Sequence, residues 1–503
     1  MSRVLFLRPP IAFALSSSTS HVCPPLGLAY VAAAARAAGH DTTCIDASGE
    51  APFQRIAAGH GVIQVGLTTA QMLERIGHAA PQVIGISVMF SQDWPAARQL
   101  ISAIKARFPQ TYIVAGGEHI SAVPVWCLEQ CAALDACVQG EGESAIVALL
   151  DAHAAGRSPS GIGGIAYREA GRIHQASRGA RAAIGTIAAP AWDLLPLEPY
   201  LANGLSYGVN RGRTMPILAS RGCPYSCTFC SSPMMWTTLW AARPVADVIA
   251  EMADAIERYR AECFDFYDLT AIVRRDWVLE FCQAIIDRGW RISWQMPAGT
   301  RSEALDRDVL TLMRQSGNQF IIYAPESGSE ATLAAMNKRI QLGRMQQSIR
   351  DAVEVGMSVK LNIIMGMPGE RWRDLLATTW FLIRMAWLGV EDAFAASFTP
   401  YPGSALFTEM RDAGQLPPID DDYLRSLASI SSFAHSRSYS PHLSNRSITA
   451  MRVVSMVLFY GVGFLRKPSR VLRLIRNLWR NREESRLELG LVDLKARWLG
   501  RRA

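Results

Sequence analysis

A chain of 503 residues with 50% hydrophobic and 19% charged side chains has material for two or three cores and is too apolar to be disordered. Its net charge of +7 comes from an Arg and Lys excess near the C-terminus rather than from a basic face, which argues against nucleic acid as a partner. Ten cysteines, with no charged-then-apolar N-terminal signal, predict a reduced cytoplasmic protein and not a disulfide scaffold.

In chain order, short β-branched runs alternate with helical segments. Strands are expected at 4–7, 42–46, 83–88, 112–115 and 136–138, with helices at 26–38, 95–107 and 144–153. That alternation predicts a doubly wound, Rossmann-like α/β domain over residues 1–156. Several of its strands end in glycine or proline, at Pro9-Pro10, Gly116-Gly117 and Gly140-Glu141-Gly142, and ligands of such sheets sit at those ends. Residues 157–210, rich in Gly, Pro and Ser, read as a linker. Six more β/α repeats follow over 211–402, with strands at 215–220, 264–269, 292–296, 319–324, 359–365 and 393–399. They predict a partial (β/α)6 barrel whose active site lies at the strand C-termini. Residues 403–503 read as helical.

Just after the first of these six strands, Cys223, Cys227 and Cys230 stand in C-x3-C-x2-C spacing. Three closely spaced thiolates can hold three irons of a [4Fe–4S] cube and leave the fourth open. The competing readings are a zinc loop, although no second cysteine pair is near, and simple buried thiols. The other seven cysteines lack such spacing and read as structural; Cys127 and Cys131, at i, i+4, are the closest to a metal pair.

The loop Arg221-Gly-Cys-Pro-Tyr-Ser-Cys-Thr-Phe-Cys230 resembles the signature of the radical S-adenosylmethionine (SAM) enzymes in spacing and in its aromatic before the last cysteine. Pro325-Glu326-Ser-Gly-Ser329, the NIIMGMPGE run from Asn362 to Glu370, and Tyr401-Pro-Gly-Ser404 resemble further segments of that family, in its order. The resemblance implies that the open iron chelates SAM, with Phe229, Glu326 and Gly366 contacting it. For Glu326 a strand-end salt bridge is the alternative. Ala324 stands where the family often has Gly, and Tyr267-Asp268 where it often has an acidic pair.

The Rossmann-like domain ahead of the barrel, with Pro24-Pro-Leu-Gly-Leu-Ala-Tyr30, Ala115-Gly-Gly-Glu118 and Gln139-Gly-Glu-Gly-Glu143, resembles the cobalamin (B12)-binding domain of the B12-dependent subgroup. Pro10, Ser87, Gly116, Gly117, Gly140, Glu141 and Gly142 are then candidate cobalamin contacts. Asp151-Ala-His-Ala-Ala-Gly156 matches the D-x-H-x-x-G motif that supplies a cobalt ligand elsewhere, but it falls at the end of the domain's last helix. His153 therefore reads as a solvent-facing helix residue. The loop between Leu7 and Pro24, where that motif belongs, contains His21 without it. A domain that binds no cofactor and only shapes a channel is the alternative.

The resemblance implies reductive cleavage of SAM, hydrogen abstraction from an unactivated carbon, and methylation through methylcobalamin at two SAM per turnover. It also implies a small-molecule or lipid-like substrate and a reductase, flavodoxin or ferredoxin as electron donor. A cobalamin-dependent cyclase or oxidase is the second reading, and a non-catalytic cluster or cobalamin carrier the third. Finally, Val471, Leu472, Leu474, Ile475, Leu478 and Trp479 interleave with Arg470, Arg473, Arg476 and Arg480 to give an amphipathic basic helix. Either it lies on an anionic membrane, making the protein peripherally membrane-associated, or its oily face packs on the protein. The apolar run 453–465 is too short to span a bilayer of about 20 helical residues.

Overall fold

The computed structural model describes residues 1–15, 22–59, 61–270, 272–431 and 436–480, together with 487, 488, 491 and 495. Strands β1 (Arg3–Arg8), β2 (Asp41–Asp46), β3 (Val83–Ser87), β4 (Tyr112–Gly116) and β5 (Ala136–Val138) are parallel, in the order β2-β1-β3-β4-β5. This doubly wound order reverses direction between β1 and β3, which opens a crevice at the carboxyl ends of those strands. Val4 to Leu7 and Val83 to Ile86 carry side chains that are buried on both faces of the sheet, as a parallel sheet covered by helices requires. Helices α1 (Leu26–Ala37) and α2 (Gly142–Ala154) pack together on one face through small residues such as Ala29, Ala32, Ala33 and Ala145.

The stretch 157–210 is not a bare linker. Within it β6 (Ile165–Glu169) and β7 (Arg172–Gln175) form an antiparallel hairpin that pairs with β5 and extends the first sheet. Its two-residue turn, Ala170-Gly171, takes positive φ at both positions (47° and 77°), a mirror-image turn whose usual sequence is Asn-Gly or Asp-Gly; the alanine hid it. A second difference is a three-stranded antiparallel sheet of Ile11–Ala14, Arg55–Ala57 and Val62–Val65, whose strands are too short to show a period.

The second half matches the six-strand expectation: β8 (Thr214–Ile217), β9 (Cys263–Phe266), β10 (Ser293–Gln295), β11 (Phe320–Glu326), β12 (Ser358–Met365) and β13 (Asp392–Ser397). They form two parallel three-stranded arcs, β8-β9-β10 and β11-β12-β13, joined by a bridge between Thr300 and Tyr323. The result is an open barrel. Helix α3 (Trp372–Leu388) connects β12 to β13, and the chain then continues into α4 (Asn445–Arg466) and α5 (Ser469–Arg480). With its flanking polar residues α4 is 22 residues long, enough by length and composition to cross a membrane. One of its faces nevertheless lies on the barrel, where buried Arg452 donates from Nε to the Ala395 carbonyl at 2.9 Å.

Candidate active site

The loop after β8 bears the three cysteines. Gly222 opens it at φ +86°, and a Cβ there would stand 1.9 Å from the Leu239 carbonyl oxygen, so only glycine fits. Both flanks of the loop are pinned. The Thr228 N–H donates to the Met336 carbonyl and the Leu406 N–H to the Thr228 carbonyl, each at 2.9 Å, while Asn337 Nδ2 donates to the Ser226 carbonyl at 2.9 Å. Cys223, Cys227 and Cys230 are half-buried. Burial pushes the Cys227 thiol up and the Cys230 thiol up to about 11, so metal binding must displace protons there.

No second cysteine pair stands near the loop in sequence, as the four ligands of a structural zinc site would require. Three thiols on one loop, each able to take its own iron, fit a cube with one iron left open.

The expected SAM-side residues gather around this loop. Glu326 ends β11 at φ +65°, where the register with β12 shifts. A non-glycine residue in left-handed backbone at a bulge is strained and its side chain re-aimed. Glu326 Oε1 accepts from Lys338 Nζ at 2.9 Å, with both side chains buried, so the salt bridge named as the alternative is present. The charges of Lys338, Glu326 and Arg301 all act on the Cys227 thiol, which places the pair beside the cysteine loop. Phe229 packs in one apolar cluster with Met336, Ile364, Met367 and Phe398. Gly366, at φ +93°, donates its N–H to Glu370 Oε2 at 2.6 Å, and α4 closes over it: a Cβ there would stand 2.9 Å from Ile448 Cδ1.

Two polar atoms on adjacent barrel strands, Asn362 Oδ1 and Ser397 Oγ, are buried without a partner. Asn362 and Ala324 both approach Gly299. Unsatisfied buried polar groups call for a ligand to satisfy them, and a nucleoside such as that of SAM has the hydroxyls and ring nitrogens to do so. Asp268 is otherwise engaged. It accepts from Ser220 Oγ at 2.5 Å and from the Ala219 N–H at 3.0 Å, braces β8, and is pushed up to about 6 by burial.

Between the two halves lies a cavity of about 200 Å³. Ser87, Gly116, Gly117, Gly140, Glu141 and Gly142 line it from the ends of β3, β4 and β5, together with Leu26 and Tyr30 of α1. Leu218, Arg221, Met235, Trp236 and Tyr267 line it from the barrel. Gly117, at φ +115°, has no room for a Cβ, which would meet the Val88 carbonyl oxygen at 2.4 Å. An apolar cleft floored by glycines at the crevice of a doubly wound sheet is where such folds bind their ligands. Pro10 does not reach it: it is buried, with its Cα packed against Gly66, so that candidate contact is not brought to the cavity.

The rejected D-x-H-x-x-G match lies at the far end of α2, about 20 Å of helix from Gly142. Asp151 stands 3.3 Å from His40 Nε2. His153 is half-buried against the Tyr112 ring, centroids 5.0 Å apart, rather than facing solvent. His21 lies outside the described residues. Cys127 sits 3.5 Å from His119 Nε2, a ring held neutral by burial and bonded to Ser91 Oγ at 2.9 Å, which is a core contact.

Sequence reasoning missed the residues that join the two halves. Arg221, at the head of the cysteine motif, pairs with Glu141 at 3.2 Å and with Glu143, and its guanidinium lies over the Tyr30 and Trp236 rings at 5.3 and 5.5 Å. Arg181, from the stretch read as linker, bonds Glu141 at 2.7 Å and the Arg221 carbonyl at 2.9 Å, while Arg178 donates to the Met235 carbonyl. Glu118 accepts from Ser231 next to Cys230. The available signal was opposite charge carried inside two quoted motifs.

Family models describe residues 14–150 as a B12 binding domain and residues 217–382 as the radical SAM superfamily. The chain belongs to the B12-binding radical SAM family. It is 28% identical over 406 residues to an uncharacterised methyltransferase of Pyrococcus horikoshii, covering 80% of this chain and 82% of that one. It is 27% identical over 433 residues to the cytidylyl-2-hydroxyethylphosphonate methyltransferase of Streptomyces wedmorensis, covering 79% and 80%. It is 25% identical over 398 residues to the anaerobic magnesium-protoporphyrin IX monomethyl ester cyclase of Cereibacter sphaeroides, covering 77% and 60%. The fold is that of the radical SAM methyltransferase TsrM of Kitasatospora setae, solved with cobalamin and a [4Fe–4S] cluster bound, at a TM-score of 0.64 and 17% identity, covering 82% of this chain and 75% of that one. As a B12-binding radical SAM enzyme, the chain uses a [4Fe–4S] cluster, SAM and cobalamin.

Proposed function

We propose that this enzyme methylates an unactivated carbon of a small molecule, with Cys223, Cys227 and Cys230 as the cluster ligands. The observation that carries the reading is the shared cavity, walled on one side by the glycine ends of β3 to β5 and on the other by the barrel residues flanking the cysteine loop. When bound, the cluster with SAM supplies hydrogen abstraction and cobalamin supplies the methyl group. The chain's own residues supply the rest. The pinned loop would hold the cluster through Cys223, Cys227 and Cys230, and Lys338, paired with Glu326, and Arg301, paired with Glu303, set polar groups beside it. Asn362 and Ser397 offer polar atoms to the nucleoside, and the apolar cavity wall excludes water from a reactive centre. Domains are assigned as 1–156 for cobalamin, with the hairpin of 157–210 docked to it, 211–402 for SAM chemistry, and 403–503 as helical cover. A flavodoxin- or ferredoxin-class reductant delivers the electron, and membrane contact falls to the C-terminal helices.

The cyclase among the relatives keeps one second reading in play. Anaerobically reconstituted protein, supplied with methyl-labelled SAM and a strong reductant, decides between them. Methyl transfer predicts S-adenosylhomocysteine and label on cobalamin, in protein that holds four irons and one cobalt. Deoxyadenosine without homocysteine favours cyclisation or oxidation. No SAM cleavage at all would revive the carrier reading, which the unpartnered Asn362 and Ser397 otherwise oppose.

A further inference from the structure

Three helices on one side of the barrel turn apolar side chains to water. Helix α3 exposes Trp372, Leu376, Trp380 and Trp387; α4 exposes Val453, Val454, Val457 and Leu465; α5 exposes Leu472, Ile475 and Trp479. Within each helix these positions recur close to every one or two turns and so form a stripe. The stripes are neighbours. The hydroxyls of Thr379 in α3 and Ser455 in α4 lie 2.8 Å apart, and the Arg466 guanidinium at the end of α4 lies over the Trp387 ring at 5.9 Å. Arg470 of α5 runs beneath Gly463 of α4 and donates to the Val390 carbonyl at 3.1 Å.

The orientation of α5 decides what this surface is. If its oily face packed on the protein, its arginines would reach solvent. In the structure Arg476 is exposed, but Arg470 and Asn477, the latter bonded to Glu488 at 3.0 Å, are 8% and 1% exposed, while Leu472 and Trp479 are 71% and 86% exposed. A helix that buries an arginine and an asparagine and leaves a tryptophan outside is oriented for something other than water.

Charge identifies the partner. The three helices contain a single carboxylate, Asp374, which is buried and accepts from the Ser329 hydroxyl. Around the apolar stripes, Arg373, Arg384, Arg446, Arg466, Lys467 and Arg476 are exposed. An apolar, tryptophan-bearing face rimmed by cations, with no exposed carboxylate on its three helices among the described residues, suits a layer of anionic lipid headgroups over acyl chains. A second copy of the chain fits poorly, because an isologous pair would set one cationic rim against the other. We propose that α3, α4 and α5 form one docking face for an anionic bilayer, with the protein lying on the membrane and not crossing it. Trp372 lies two residues beyond Glu370, and Ile448 of α4 fills the space a Cβ at Gly366 would take, so the barrel mouth opens at the edge of this face. The inference does not depend on which reaction the site performs.

The test sediments the reconstituted full chain with phosphatidylcholine vesicles, with and without phosphatidylglycerol. Binding is expected to the anionic vesicles and to be much weaker with phosphatidylcholine alone. The variant Arg466→Glu/Lys467→Glu/Arg476→Glu should lower partitioning about 100-fold, from roughly 1 kcal/mol per cation near the surface. The variant Trp380→Ser/Trp387→Ser/Trp479→Ser should lower it about tenfold or more. Wild-type iron content in both variants separates lost docking from lost folding. Wild-type protein that remains in the supernatant with either vesicle overturns the proposal, as does binding that neither variant weakens. A dimer that the tryptophan variant converts to monomer also overturns it, and assigns the face to a second copy.

Discussion

Replacing Arg221 by Met removes the cation on which two carboxylates of the other half converge. The side chains concerned are 3%, 8% and 10% exposed for Arg221, Glu141 and Glu143, so water screens little of the interaction. Glu141 retains Arg181 at 2.7 Å, but Arg221 is the only cation bridged to Glu143 among the described residues. A buried charge stranded in this way costs about 3–5 kcal/mol, and the cation–π contacts to Tyr30 and Trp236 add about 0.5–2 kcal/mol each. Methionine keeps the apolar stem, so little of the loss is packing. A cycle with Glu143→Gln isolates the charge pair, because the double variant strands no ion. Urea unfolding near neutral pH, followed by tryptophan fluorescence, should give a coupling of about 2 kcal/mol, within the range of contacting pairs. Arg221→Met should also retain less iron after reconstitution, since Cys223 is two residues away. Losses that add to within about 0.5 kcal/mol would refute the argument and reduce the network to an accident of packing.

Three further outcomes follow from single residues. Gly222→Ala drives a methyl group into the Leu239 carbonyl, and iron retained after anaerobic reconstitution should fall to the level of a Cys223→Ala variant. Ser397→Ala removes an unpartnered buried hydroxyl; stability without SAM should hold or rise by up to about 1 kcal/mol, while SAM affinity by equilibrium dialysis falls about tenfold. Asp93 is buried and pushed up to about 7. The folded state thus binds the proton more tightly than the unfolded chain, and stability falls as pH rises from about 4 to about 7. Asp93→Asn keeps the hydrogen bond accepted from the Ala12 N–H. It should stabilise the protein above pH 7, by on the order of 2–4 kcal/mol, and leave it unchanged below about pH 4.

The parallel strands were legible because their signal is local: an apolar run such as Val4 to Leu7 or Val359 to Met365 followed by a glycine or proline. The six barrel strands and five of the first sheet lie within a few residues of where that pattern put them. The hairpin at Ala170-Gly171 was not legible, because alanine in left-handed backbone carries no turn signal and its partner strand is thirty residues away. At the site, the cysteine loop stood out through spacing, Glu326 through the resemblance of its segment to a family motif, and the glycine strand ends through composition. What sequence hid was pairing across long separations: Glu326 with Lys338 is close enough to guess, whereas Arg221 with Glu141 spans 80 residues. Two motifs read separately as a SAM loop and a cobalamin segment are one electrostatic unit. The basic C-terminal helix was legible as amphipathic, but which face it buries depends on Gly389, Val390 and Glu391, which receive Arg470.

That unit bears on how the two halves work together. Arg221 lines the cavity beside Glu141 and Gly142, and Cys223 follows two residues later, a reach of about 7 Å at most along the chain. The wall of the cavity between the halves and the first thiol of the cysteine loop are therefore held by the same short segment. Gly222 between them tolerates no side chain, and the Arg221 backbone is tied to Arg181. A carrier that passes one cofactor onward has no use for so tight a link between two sites. A reaction in which hydrogen leaves and a methyl group arrives at the same carbon requires both groups to be placed relative to one substrate with near-attack precision, and this segment fixes that relation.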